Sequence, residues 1–232
     1  MFRQLVKAKR RQIIVDINTQ RDFFLAAGKV CIRNHKRVLS HIRRIMAWAR
    51  TRKIPVISVC EVYPGNNGAD YCVDGTDGQK KISYSLFDNR INFPADGHYD
   101  LPRDILRTYR QVILHKRSQD PFDEPRIERL LSEVRAGEFI LVGAAAEGAV
   151  LSTALGLLQR GKKVILVTDA IGTHNNRRGE LAIRKMKAKG ARLIETRRLA
   201  GLSHLSSVGI CRCKRCRGEH ADRNLQTHSL KA

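Results

Sequence analysis

Gln12-Ile13-Ile14-Val15-Asp16-Ile17-Asn18-Thr19-Gln20-Arg21-Asp22-Phe23 joins a short apolar run to a polar turn. The run 13–17 is too short for a helix and rich in β-branched residues, so it reads as a buried strand that ends on a carboxylate. Similar runs follow at 55–59, 111–114, 139–142, 164–167 and 192–194. Between them, 30–52 carries Ile32, Val38, Leu39, Ile42, Ile45, Met46 and Ala49 at helical spacing, with Arg and Lys on the other face. Further helices fit 124–135, 147–159 and 176–189. Short apolar strands alternating with amphipathic helices predict a parallel sheet wrapped on both faces. The connection 61–99, rich in Gly, Asp and Asn, reads as a functional loop.

The chain has 232 residues, enough for one substantial domain and an appendage. The expected division is a main domain over 1–200 and a basic, cysteine-rich extension over 201–232. Hydrophobic residues make up 42% and charged residues 28%, which argues for a globular chain and against disorder. No apolar run approaches the roughly 20 residues that a bilayer span needs. The start of the chain is basic and acid-free but enters the first strand without a cleavable apolar region, which disfavours a transit peptide. Cys31, Cys60 and Cys72 are scattered and Cys211, Cys213 and Cys216 are crowded, a distribution unlike a disulfide framework; the expected setting is reducing and cytoplasmic.

Charge is the unusual property. Lys and Arg number 44 against 22 Asp and Glu, a net +22. Segment 61–138 holds 11 basic and 14 acidic residues, leaving 33 basic and 8 acidic residues elsewhere. Basic clusters at 3–11, 33–53, 177–198 and 212–217 are consistent with solvated helix faces, and their sum with a polyanionic partner. Aromatics are only 6%, and neither an RNA-recognition nor a helix-turn-helix signature is present, so nucleic-acid binding would be led by the phosphate backbone.

Three strand ends carry residues suited to chemistry, because ligands of parallel sheets bind beyond the carboxyl ends of the strands. Asp16 ends the first run. Lys116 follows the third, where an ammonium can keep a carboxylate ionised and hold a developing negative charge. Gly143-Ala144-Ala145-Ala146-Glu147-Gly148-Ala149-Val150 follows the fourth and enters a helix whose first amides can hold an anion or oxyanion.

These segments, with Cys72-Val73-Asp74-Gly75-Thr76-Asp77-Gly78-Gln79, Thr153-Ala154 and Val167-Thr168-Asp169-Ala170, resemble the isochorismatase-like superfamily, the cysteine hydrolases that include nicotinamidases. The resemblance spans roughly 12–195. It implies a three-layer α/β/α sandwich around a six-stranded parallel sheet, Rossmann-like, and a catalytic Asp, Lys and Cys. Asp16 and Lys116 match the first two, and Ala149 falls at the nucleophile. A methyl group forms no thiolate or acyl intermediate, so covalent amidase chemistry is excluded at that position. Ser152 lies about one turn further along the helix and would not place its hydroxyl at the same point. Cys60 and Cys72 belong to other segments. Gln20, Phe23 and Ala145 are the expected substrate-binding positions. Some nicotinamidases hold a metal through Asp-x-His after the second strand; here Ser58-Val59-Cys60-Glu61-Val62-Tyr63 has no histidine, and no active-site cofactor is expected.

Three functions remain open on this reading. In the first, Asp16 as acid and Lys116 as anion holder hydrolyse a small carboxylated or carbonyl substrate without a covalent intermediate, as isochorismatases do with a vinyl ether. In the second, the chain is a catalytically inactive relative that binds nucleic acid or an assembly. In the third, it is a cysteine amidohydrolase with an engineered Cys-to-Ala change at 149. Separately, Cys211, Cys213, Cys216 and His220, with His204 as a replacement fourth ligand, have the residue types of a structural zinc knuckle. No membrane partner is expected; self-association is open.

Overall fold

A computed structural model describes residues 10–65 and 68–201. In chain order the strands and helices are β1 (Arg10–Ile17), α1 (Arg21–Phe24), α2 (His35–Thr51), β2 (Val56–Glu61), β3 (Arg90–Phe93), α3 (Ile105–Thr108), β4 (Gln111–Lys116), α4 (Pro125–Glu133), β5 (Ala136–Gly143), α5 (Ala149–Gln159), β6 (Val164–Ile171), α6 (Asn176–Ala188), β7 (Arg192–Ile194) and α7 (Thr196–Ala200). The strands form one sheet in the order β3-β4-β2-β1-β5-β6-β7, and every pairing is parallel.

Alternation along β1 sends Val15 and Ile17 into one core layer, with Val59, Leu114, Val150 and Leu157. Ile14 enters the other, with Ile42, Ile45, Met46, Ile165 and Val167. On α2 the stripe Val38, Ile42, Ile45, Met46 and Ala49 is buried at helical spacing, leaving its cations outside. Each of the larger apolar side chains in that stripe stabilises the packing by roughly 1.5–3 kcal/mol. The three-layer arrangement expected from the sequence is present.

The sheet has seven strands, one more than expected. The additional strand, β3, lies inside the stretch read as a loop. It is four residues long, its side chains alternate between exposed and half-buried, and it pairs at the sheet edge with β4 from Arg90↔Gln111 to Phe93↔Leu114. So short and polar a strand is held by backbone pairing and leaves little periodic signal. The Cys-rich extension, including Cys211, Cys213, Cys216, His220 and His204, lies outside the described residues.

The connection after β2 folds back onto the carboxyl end of β1. Arg21 N donates to Lys80 O at 2.9 Å, Asp22 N to Gly78 O at 3.0 Å and Ile82 N to Thr19 O at 3.0 Å. Cys72 N donates to Asp22 Oδ2 at 2.6 Å. At the end of β5, Gly143 has φ +118°, and a Cβ there would stand 1.9 Å from Ile17 O. Only glycine allows β5 and β1 to close so tightly, and this closure sets the start of α5 beside the end of β1.

Candidate active site

At the carboxyl ends of β1, β2 and β4, three polar side chains meet. Asn18 takes a left-handed φ of 49° that redirects the chain as it leaves β1. Its Nδ2 donates to Glu61 Oε1 at 2.7 Å. Lys116 Nζ donates to the same oxygen at 2.7 Å, to Ser118 O at 2.7 Å and more weakly to Gln119 O at 3.4 Å. Three acceptors match the three N–H donors of the ammonium, so Lys116 has no donor left for a substrate anion. Burial pulls the Lys116 ammonium below its ordinary pKa, against the opposing pull of Glu61. Tyr63 OH donates to Glu61 Oε2 at 3.3 Å. Gln20 is buried behind this group: it accepts from Glu61 N at 2.8 Å and donates to Glu61 O at 2.6 Å. Gln20 therefore fixes the Glu61 backbone.

Asn18 and Glu61 form the polar end of a cavity of about 440 Å³. Phe23, Tyr71, Val30 and His174 supply its apolar and aromatic walls, and Gln119, Ala145, Glu147, Gly148 and Ala149 close it. Phe23 meets Tyr71 edge-on with ring centroids 6.0 Å apart. Ala149 is the first residue of α5, so its methyl stands at the helix end where amides carry partial positive charge. Burial opposes ionisation of Glu147, but hydrogen bonds from Thr173 Oγ1 and the amides of Asn175 and His174 outweigh it and hold the carboxyl below its usual range. Glu147 thus ties α5 to the loop that carries His174.

Of the residues expected at the site, Phe23, Ala145 and Ala149 line the cavity, and Lys116 sits directly behind Glu61. Asp16 does not line it. Strand alternation turns Asp16 onto the face of Ile14, where it is fully buried. There it accepts from Ser58 Oγ at 3.0 Å, from Lys81 Nζ at 2.7 Å and from Thr19 Oγ1. Burial alone would lower the Lys81 ammonium, yet Asp16 and Cys60 together outweigh it and the net direction is up. The side chain that reaches the cavity from the end of β1 is Asn18, two residues beyond. The cysteines are elsewhere too: neither Cys60 nor Cys72 is among the lining residues, and burial pushes the Cys60 thiol up to about 11 and the Cys72 thiol upward as well.

Asn18, Glu61 and Tyr71 escaped the sequence reading. Glu61 is a carboxylate two residues past the second apolar run, at the carboxyl end of β2, and this was the available signal. Tyr71 sits in the aperiodic connection and had none.

An isochorismatase-domain family model matches residues 12–198. The chain belongs to the isochorismatase family. Among curated proteins no relative matches by sequence. Solved structures with the same fold include an isochorismatase-like hydrolase from Alkaliphilus metalliredigens, with 18% identity, TM-score 0.64, and coverage of 82% of this chain and 97% of that one. Pyrococcus horikoshii pyrazinamidase in complex with zinc has 20% identity, TM-score 0.63, and coverage of 80% and 99%. The MAR1 ribonuclease of Caenorhabditis elegans has 22% identity, TM-score 0.59, and coverage of 88% and 87%. At these identities the likeness is one of fold.

The isochorismatase-family cavity of this chain is a poor match for a metal. Its deepest carboxylate, Glu61, is already occupied by Asn18, Lys116 and Tyr63. Among the described residues no group of three His, Cys, Asp or Glu side chains is arranged to hold an ion. No described helix is long and apolar enough to cross a membrane.

Proposed function

We propose that this isochorismatase-family chain is a catalytically silent member that uses the cavity to bind a small, flat carbonyl or amide compound. The observation that carries the reading is the composition of the cavity wall: Ala149 at the helix start, an amide at Asn18, and a carboxylate at Glu61 tied up by three donors. Those donors hold the Glu61 carboxylate in one orientation at the polar end of the cavity. It remains a good acceptor for an N–H or O–H of a ligand, while Phe23, Tyr71 and His174 offer faces to a planar group.

The competing reading is hydrolysis without a covalent intermediate, with Asp16 as acid and Lys116 as anion holder. Saturation of Lys116 and enclosure of Asp16 weigh against it. The test is incubation of the native chain with a panel of aromatic amides and carboxylated vinyl ethers, read by product formation and by thermal shift. Stabilisation by a panel member without product supports silent binding; turnover abolished by Asp16→Asn restores the hydrolase reading.

A second reading concerns the outside of the molecule and is compatible with the first. Helix α2 contains no acidic residue over its whole length, and the chain carries +22. These features support a polyanionic partner, with RNA the leading candidate. A fold neighbour named a ribonuclease is in keeping with it. Retention on an RNA column and release by moderate salt test it directly.

A further inference from the structure

A second cavity, of about 430 Å³, opens at the opposite edge of the sheet, where the strands begin. Gln12 of β1, Trp48 of α2, Arg52, Lys53, Pro55 and Leu199 of α7 line it. Its size falls within the roughly 300–1,000 Å³ typical of small-ligand sites. Trp48, the chain's single tryptophan, is half-buried against the α2 core layer, which holds its ring in place. Arg52 and Lys53 are exposed beside it, and no carboxylate among the described residues pairs with either. Glu138, the carboxylate bound to the lining residue Gln12, is already matched, accepting from Gln12 Nε2 at 2.8 Å and pairing with Arg192 at 2.7 Å. Lys53 has φ 56°, just beyond the end of α2, a position that glycine usually fills. A cation therefore occupies a place where backbone conformation favours a residue without a side chain.

A fixed aromatic face next to two cations suits a group that is both planar and anionic. An acidic peptide would need only the cations. We propose that this cavity holds one nucleotide of single-stranded RNA, its base stacked on Trp48 and its phosphates on Arg52 and Lys53. The proposal rests on the RNA reading given above and assigns it a site distant from the Ala149 cavity. The acid-free α2 leads up to this cavity and would carry the neighbouring phosphates.

Because Trp48 is the only tryptophan, its emission reports on this site alone. The full chain is titrated with a ten-nucleotide oligouridylate, with UMP and with inorganic polyphosphate. The expected result is quenching of Trp48 by the oligonucleotide, with binding but no comparable quenching by polyphosphate. Arg52→Glu with Lys53→Glu, both exposed and so compatible with folding, weakens oligonucleotide binding by roughly tenfold or more and lowers the salt slope by about two. Trp48→Phe keeps a ring in the core and retains most of the affinity, whereas Trp48→Ala loses roughly five- to tenfold. UMP binding as tightly as the oligonucleotide overturns the single-strand assignment. Oligonucleotide binding that neither quenches Trp48 nor responds to the charge reversals overturns the site while the RNA reading stands. Absence of oligonucleotide binding overturns both.

Discussion

The Lys116 ammonium lies 2.7 Å from Glu61 Oε1, and both side chains are closed to solvent. Two charges so enclosed are each costly to desolvate and are tolerated because they face one another. Replacing one leaves the other without its counterion. Lys116→Met is expected to destabilise the fold by about 3–5 kcal/mol in urea unfolding, and adding Glu61→Gln to it recovers part of that loss. Equal losses in the single and double variants would show that the pair is uncoupled.

Asp16 and Lys81 form a second enclosed pair, 2.7 Å apart, that fastens the segment before β3 to the end of β1. Asp16→Asn and Lys81→Met are each expected to cost about 3 kcal/mol and to speed proteolysis of that connection. Unchanged stability in Asp16→Asn would mean that the carboxylate is not serving as this anchor.

Gly143→Ala drives a methyl into Ile17 O at a backbone angle that alanine avoids. A loss of more than about 2 kcal/mol is expected. Gly161 also has a positive φ, +68°, but a Cβ there meets nothing within 4 Å. Gly161→Ala therefore costs about 1 kcal/mol, the backbone penalty alone. Similar losses at both positions would contradict the close approach of β5 and β1.

Burial lowers the His115 imidazole below its ordinary 6.5, with Asp74 pulling the other way. His41 shifts in the same direction, again chiefly through burial. For groups with a lowered folded pKa, the unfolded chain takes up protons first as pH falls. Their stabilising contribution is complete above about 6.5 and is lost on descending towards the folded values. The melting temperature is expected to drop between pH 7 and pH 5, and His115→Gln to flatten that drop. A profile indifferent to His115→Gln would assign the effect to other groups.

The layers of the fold were legible because burial on both faces writes strands as apolar runs and helices as one-sided stripes. The strand 13–17 and the α2 stripe from Val38 to Ala49 are examples. The edge strand β3 was not legible, since half its side chains face solvent. Lys116 and the helix start after the fourth run were singled out from strand ends alone, whereas Ala149 was singled out only by the family resemblance. Asp16 and Asn18 are two residues apart, and which one lines the cavity depends on a left-handed turn that polar residues in a loop do not announce. The pairing of Lys116 with Glu61 joins strands far apart in sequence and leaves no local pattern.

The central claim is that the cavity binds without covalent turnover because Ala149 offers no thiol at the start of α5. Intact-protein mass spectrometry and product assays on the aromatic amide panel test it, comparing the native chain with Ala149→Cys. The account predicts no adduct and no product from the native chain, and an acyl adduct confined to position 149 in Ala149→Cys. Amide turnover by the native chain at a rate matching Ala149→Cys would contradict it.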